Sequence, residues 1–249
     1  MGFTQTLLLV MFGGAVAGFV QGISGFAFAL IVLALWSWAL DPVLIGPLAV
    51  FGALVGQAMA FPRFRHIIKF RVVVPYVAGG IAGVPIGVML LRHLDPMTFK
   101  LCIGLFLVTW CPLMMRPGKL PRIERGGVLA EAAVGLIGGV MGGLGGVSGP
   151  APTLWTTLRH FDRDRQRAIL VGFNLSMQSL TMITYIVAGA IPARAWPLLA
   201  PLALTVVIPT LLGVRVYHHI SDRIFRQVVL GLLTLSGVIL LAITLPRML

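Results

Sequence analysis

Two serines stand in matching surroundings inside long uncharged runs: Gly22-Ile23-Ser24-Gly25 and Gly146-Val147-Ser148-Gly149-Pro150. Serine among glycines suggests nucleophilic or phosphate-binding chemistry, and each familiar version fails here. The nucleophile elbow needs a glycine two residues after the serine, but positions 26 and 150 hold Phe and Pro. A phosphate loop needs a closing Gly-Lys-Ser/Thr, which the sequence lacks. No strand pattern leads into the glycines at 142–146, as a dinucleotide fold requires.

The physical reading is a broken helix. Irregular backbone within a bilayer is tolerated where protein or a wet cavity surrounds it. Glycine permits the sharp break. Pro150-Ala151-Pro152 suits a first helical turn. Helices are therefore expected to start near Pro150 and, by analogy, near Phe26. Their N-terminal amides and positive dipole ends bind anions. Ser24 and Ser148 add hydroxyl donors, and no buried Lys or Arg is expected. Tight packing is the alternative role for glycines spaced by four, namely 14, 18, 22 and 138, 142, 146.

More polar residues lie in the runs. Asn174, Gln178, Thr181 and Tyr185 form one helical stripe, and Gln57 sits in an equivalent run. Such residues face a bundle interior, in interhelical bonds or against a solute. The expected substrate-binding set is Gly22, Ser24, Gly25, Gln57, Gly146, Ser148, Gly149, Pro150, Asn174 and Gln178. Glu131 reads as an interfacial carboxylate, or else as a protonatable coupling group. Trp36, Trp38, Trp155 and Trp196 read as interface anchors. Cys102 and Cys111, nine residues apart, fall on opposite helix faces. No Cys/His metal spacing occurs, and neither cofactor nor catalytic residue is expected.

The elements that position these residues follow from composition. The 249-residue chain is 58% hydrophobic and 10% charged, with mean hydropathy +1.00. Soluble domains are about a quarter charged, so a polytopic membrane protein is expected. Uncharged runs at 42–62, 72–91, 168–193, 195–214 and 227–246 each suit one crossing, and 101–115 nearly does. Runs 1–40 and 126–158 are too long for one crossing, and each has a glycine cluster near its middle.

The formal charge of +12 comes from bases in short loops. Without interleaved aromatics these do not read as a nucleic-acid surface; they report orientation. If 126–158 crosses once, Lys and Arg divide 10 to 9 between the sides; if it enters and returns, they divide 15 to 4. The positive-inside rule selects the second arrangement. It puts the loops at 61–71, 116–125, 159–167 and 215–226 on the cytoplasmic side.

An internal repeat agrees. Gly18 to Ala27 aligns with Gly142 to Ala151; Asp41 and Gln57 align with Asp162 and Gln178; Gly87, His93, Phe99 and Lys100 align with Gly213, His219, Phe225 and Arg226. The expected fold is all-α: two inverted-topology repeats at 1–115 and 126–249, each a broken helix or hairpin plus three spanning helices. A basic cytoplasmic linker at 116–125 joins them. Inverted repeats are common in secondary transporters.

The block from Gly138 through Ser148-Gly149-Pro150, its first-half copy from Gly18 to Leu30, and the total length resemble the sulfite exporter TauE/SafE family. The resemblance covers nearly the whole chain. It implies a multi-pass protein of a bacterial cytoplasmic membrane that moves sulfite, sulfoacetate or another sulfonate, commonly outward. Pro150-Ala151-Pro152 replaces the first block's Phe26-Ala27-Phe28, so the two sides of a site need not be equivalent. The expected partners are a small anion, membrane lipid, a coupling proton or cation, and a second copy in a homodimer, but no nucleic acid. A passive anion channel and a membrane-embedded enzyme are the alternatives.

Overall fold

The computed structural model describes residues 2–115, 121–124, 126–217 and 222–247. Among these, regular structure is helical throughout: α1 (Phe3–Ser24), α2 (Phe28–Trp36), α3 (Pro42–Phe64), α4 (Phe70–His93), α5 (Pro96–Met115), α6 (Val128–Gly145), α7 (Pro150–Leu158), α8 (Arg163–Val187), α9 (Trp196–Val216) and α10 (Asp222–Thr244). Seven of them, α1, α3, α4, α5, α6, α8 and α9, are long and apolar enough to cross a membrane. The fold class is therefore all-α and multi-pass. Residues 116–120 and 125 of the expected linker, and His218 and His219, lie outside the described residues.

Both long runs break where the glycines stand. Gly25 (φ +89°) ends α1 and Gly146 (φ +79°) ends α6, each in the left-handed region that favours glycine. The helices that follow, α2 and α7, have nine residues each. At about 1.5 Å per residue they reach less than half of the roughly 30 Å hydrocarbon core.

The chain reverses at each break. Trp36 at the end of α2 donates its indole N–H to the Leu9 carbonyl at 3.2 Å and lies against Gly13. After α7, the Ile123 amide donates to the Leu158 carbonyl at 2.9 Å. Arg159 Nη1 donates to the Glu124 carbonyl. The ends of the 126–158 run thus lie together. Trp36 is fully buried, so it is a packing and hydrogen-bonding residue rather than an interface anchor; Trp38 and Trp196 are exposed. Cys102 is exposed and Cys111 buried, as opposite helix faces require.

Glycines set the closest helix contacts. Gly18 and Gly22 of α1 lie on the α9 backbone, where a methyl on Gly22 would sit 2.9 Å from Gly213 Cα. On α6 the row facing α4 is Gly135, Gly139 and Gly143, interlocked with Gly79, Gly83 and Gly87. The expected row of 138, 142 and 146 points elsewhere: Gly138 and Gly142 face Ser148, and Gly146 faces Val50. Helix phase explains the difference, since a one-residue step turns the row by about 100°. Removing Cβ lets helices approach through van der Waals contact, the main attraction between helices in lipid.

Candidate anion site at the helix breaks

Asp41 and Asp162 begin the helices that serve both breaks. Asp41 Oδ1 accepts the Val43 amide at the start of α3 (3.0 Å), and Asp162 Oδ1 accepts the Arg165 amide at the start of α8 (2.9 Å). From α3, Gln57 Nε2 donates to the Gly25 carbonyl at 2.5 Å. From α8, Gln178 Nε2 donates to the Gly146 carbonyl at 2.7 Å. Each glutamine therefore satisfies the carbonyl of the left-handed glycine in its own half of the chain.

Asn174 joins the two breaks. Its Nδ2 donates to the Gly25 carbonyl at 3.2 Å, while its Oδ1 accepts the Ser148 hydroxyl at 2.9 Å. Gln178 Nε2 also lies 3.4 Å from Ser148 Oγ. Gln57, Gly25, Asn174, Ser148, Gln178 and Gly146 thus form one buried chain of hydrogen bonds. Gly149 packs directly on Phe26, so the breaks also touch. Pro150 is buried at the start of α7, behind Gly149.

The two serines differ in role. Ser148 is fully buried and its hydroxyl donates to Asn174. Ser24 Oγ accepts the amides of Phe26 (3.4 Å) and Ala27 (3.2 Å), which leaves its O–H to donate. Ser24 lines a cavity of about 140 Å³ that also meets Phe26, Trp110, Gln166, Arg167 and Leu230. That is below the several hundred Å³ typical of drug-sized ligands. The short helices differ as well. Proline has no N–H, so Ala151 is the single amide donor among residues 150–152, whereas Phe28, Ala29 and Leu30 all carry one.

Arg167 overturns the expectation that no cation is buried. It is 3% exposed. Its Nη1 donates to the Ile23 carbonyl and its Nη2 to the Gly22 carbonyl, both at 2.8 Å. The guanidinium lies over the rings of Phe64 (4.4 Å) and Tyr217 (4.7 Å). A cation belongs at a helix C-terminus, where the dipole is negative. The corresponding last turn of α6 is met by a neutral group: Tyr185 OH donates to the Gly143 carbonyl at 2.7 Å. Sequence reading assigned Arg167 to a basic loop. The signal was there, because Arg167 lies seven residues before Asn174 and so begins the same helical stripe. Among the described residues lining the cavity, Arg167 alone is charged.

An all-helical, multi-pass membrane protein with paired helix breaks meeting at a buried polar chain is the class these features define. The family model for the sulfite exporter TauE/SafE matches residues 10–240. The chain belongs to that family, which is a transporter family. Comparison with curated proteins and with solved structures gives no match.

Proposed function

We propose that the protein is a secondary transporter that exports a small anion, of the sulfite, sulfoacetate or sulfonate kind, by alternating access across the bacterial cytoplasmic membrane. The observation that carries this reading is the cavity that ends at Ser24 and Arg167 beside a broken helix. A guanidinium in a low-dielectric wall attracts an anion far more strongly than one in water. The polar chain from Gln57 to Gly146 lies just beyond, where a gate between two sides belongs.

Inverted repeats at 1–115 and 126–249 account for the paired features. They relate Gly25 to Gly146, Asp41 to Asp162, Gln57 to Gln178, and the α1–α9 contact to the α6–α4 contact. The cavity lies at the ends of α5, α7 and α9 that adjoin the basic loops, so it faces the cytoplasm under the positive-inside rule. Gln57 and Gln178 keep buried Oε1 atoms without a partner among the described residues, acceptors suited to a coupling cation or proton donor.

Counterflow of labelled sulfite in proteoliposomes tests the reading. Saturable exchange that Arg167→Gln abolishes supports it. Non-saturating flux, or exchange indifferent to Arg167→Gln, overturns it.

A further inference from the structure

The two walls of the cavity differ in chemistry. Ser24, Gln166, Arg167 and Tyr217 bring polar groups to it, while Phe26, Leu30, Trp110, Leu230 and Leu233 belong to one apolar cluster. The polar side is sparing with donors. Thr153 Oγ1 gives its hydrogen to the Gly149 carbonyl at 2.7 Å, Thr157 Oγ1 gives its own to the Thr153 carbonyl at 2.7 Å, and Gln166 Nε2 donates to Thr156 Oγ1 at 2.9 Å.

The other wall is aromatic and aliphatic. Trp110 meets Phe26 edge-on with ring centroids 6.0 Å apart, and stacks on Phe106 at 5.7 Å. Leu30 and Leu233 are almost fully buried behind it. The one buried donor on this wall without a partner among the described residues is Trp110 Nε1.

An inorganic oxyanion carries strong acceptors on all sides. In this cavity those facing the apolar wall lose water and regain at most one donor, which is unfavourable. An anion with one charged end and a hydrocarbon body avoids that cost and buries apolar surface instead. Building on the transport reading above, we propose that the cavity selects a monoanion with a short hydrocarbon body, its headgroup toward Ser24 and Arg167 and its body against Phe26, Leu30, Trp110 and Leu233. A second charge at the far end meets the same apolar wall, so sulfoacetate is the poorest of the anions named above and an amine-terminated analogue is rejected.

The test is equilibrium binding to the purified full-length chain. The probes are sodium methane-, ethane-, propane- and butanesulfonate, sulfite, and 2-aminoethanesulfonate. Affinity is expected to rise about fourfold per methylene from methane- to propanesulfonate. Sulfite and 2-aminoethanesulfonate bind more weakly than ethanesulfonate. Leu233→Asn flattens the series, and Leu30→Thr makes the same test if the first variant does not accumulate. Binding that is clear but flat along the series, or tightest for sulfite, overturns this selectivity and leaves the transport reading standing. No binding by any of these anions overturns both.

Discussion

Gln57 and Gly25 are 32 residues apart, yet the Gln57 side-chain amide is bonded to the Gly25 carbonyl at 2.5 Å. This contact pins the first chain reversal to a spanning helix. Gln178 does the same for Gly146 across an identical separation. A buried carbonyl left without its donor costs about 1–3 kcal/mol. Gln178→Leu is expected to lower stability by that amount, and Gln57→Leu by less because Asn174 Nδ2 still donates to the Gly25 carbonyl, both measured by thermal unfolding in detergent. Gln57→Glu, which offers an acceptor where a donor is needed, is expected to be worse than Gln57→Leu.

The left-handed glycines make a second prediction. A left-handed non-glycine residue costs about 1–2 kcal/mol, so Gly25→Ala and Gly146→Ala share that penalty. They differ in surroundings. A methyl on Gly25 would lie 2.8 Å from Arg167 Nη1, whereas one on Gly146 would lie 3.3 Å from Val50. Gly25→Ala is therefore expected to weaken anion exchange several-fold more than Gly146→Ala at comparable loss of stability. Parallel counterflow and unfolding measurements compare the two.

Arg167 separates charge from geometry. Arg167→Lys keeps a cation but not the fork that reaches both Gly22 and Ile23. It is expected to retain weak, saturable anion binding. Arg167→Gln removes the charge, and binding is expected to fall at least tenfold. Equal behaviour of the two variants counts against a role for the charge.

The glycine contact between α4 and α6 predicts a folding defect rather than a transport defect. A methyl on Gly139 already approaches Gly80 Cα to 2.8 Å. Gly139→Leu forces the helices apart, costing at least the 1–3 kcal/mol usual for overpacking. Its expected signature is loss of the monodisperse peak in size-exclusion chromatography. Gly127→Ala, where nothing lies within 4 Å, is the control.

Topology can be read by cysteine labelling in a Cys102→Ser, Cys111→Ala background. Glu124→Cys and His160→Cys are expected to react from the same side as His66→Cys, and Trp38→Cys from the opposite side. Reaction of residues 124 and 160 from opposite sides contradicts a 126–158 run that enters and returns.

Much of this architecture was legible in the residues. The excess length of the 126–158 run and the 15-to-4 split of bases pointed to the return that the Ile123–Leu158 bond completes. The pairings of Asp41 with Asp162 and Gln57 with Gln178 located two helix caps and two carbonyl contacts. The bond from Ser148 to Asn174 was not legible, because sequence similarity cannot tell which hydroxyl a neighbour has claimed. Trp36 misled because a tryptophan near a run's end looks the same whether it meets lipid headgroups or the Leu9 carbonyl. Arg167 was hidden by adjacency: three other arginines precede it closely, and only the helical phase of α8 turns it inward.

The crossed partnership of α1 with α9 and of α6 with α4 has a practical consequence. Each hairpin belongs to one segment of the chain but is shaped for a groove supplied by the other. Severing the chain between Met115 and Val128 should therefore yield two fragments that are unstable when made separately. Produced together, they should recover an intact protein as the α1–α9 and α4–α6 contacts re-form between them.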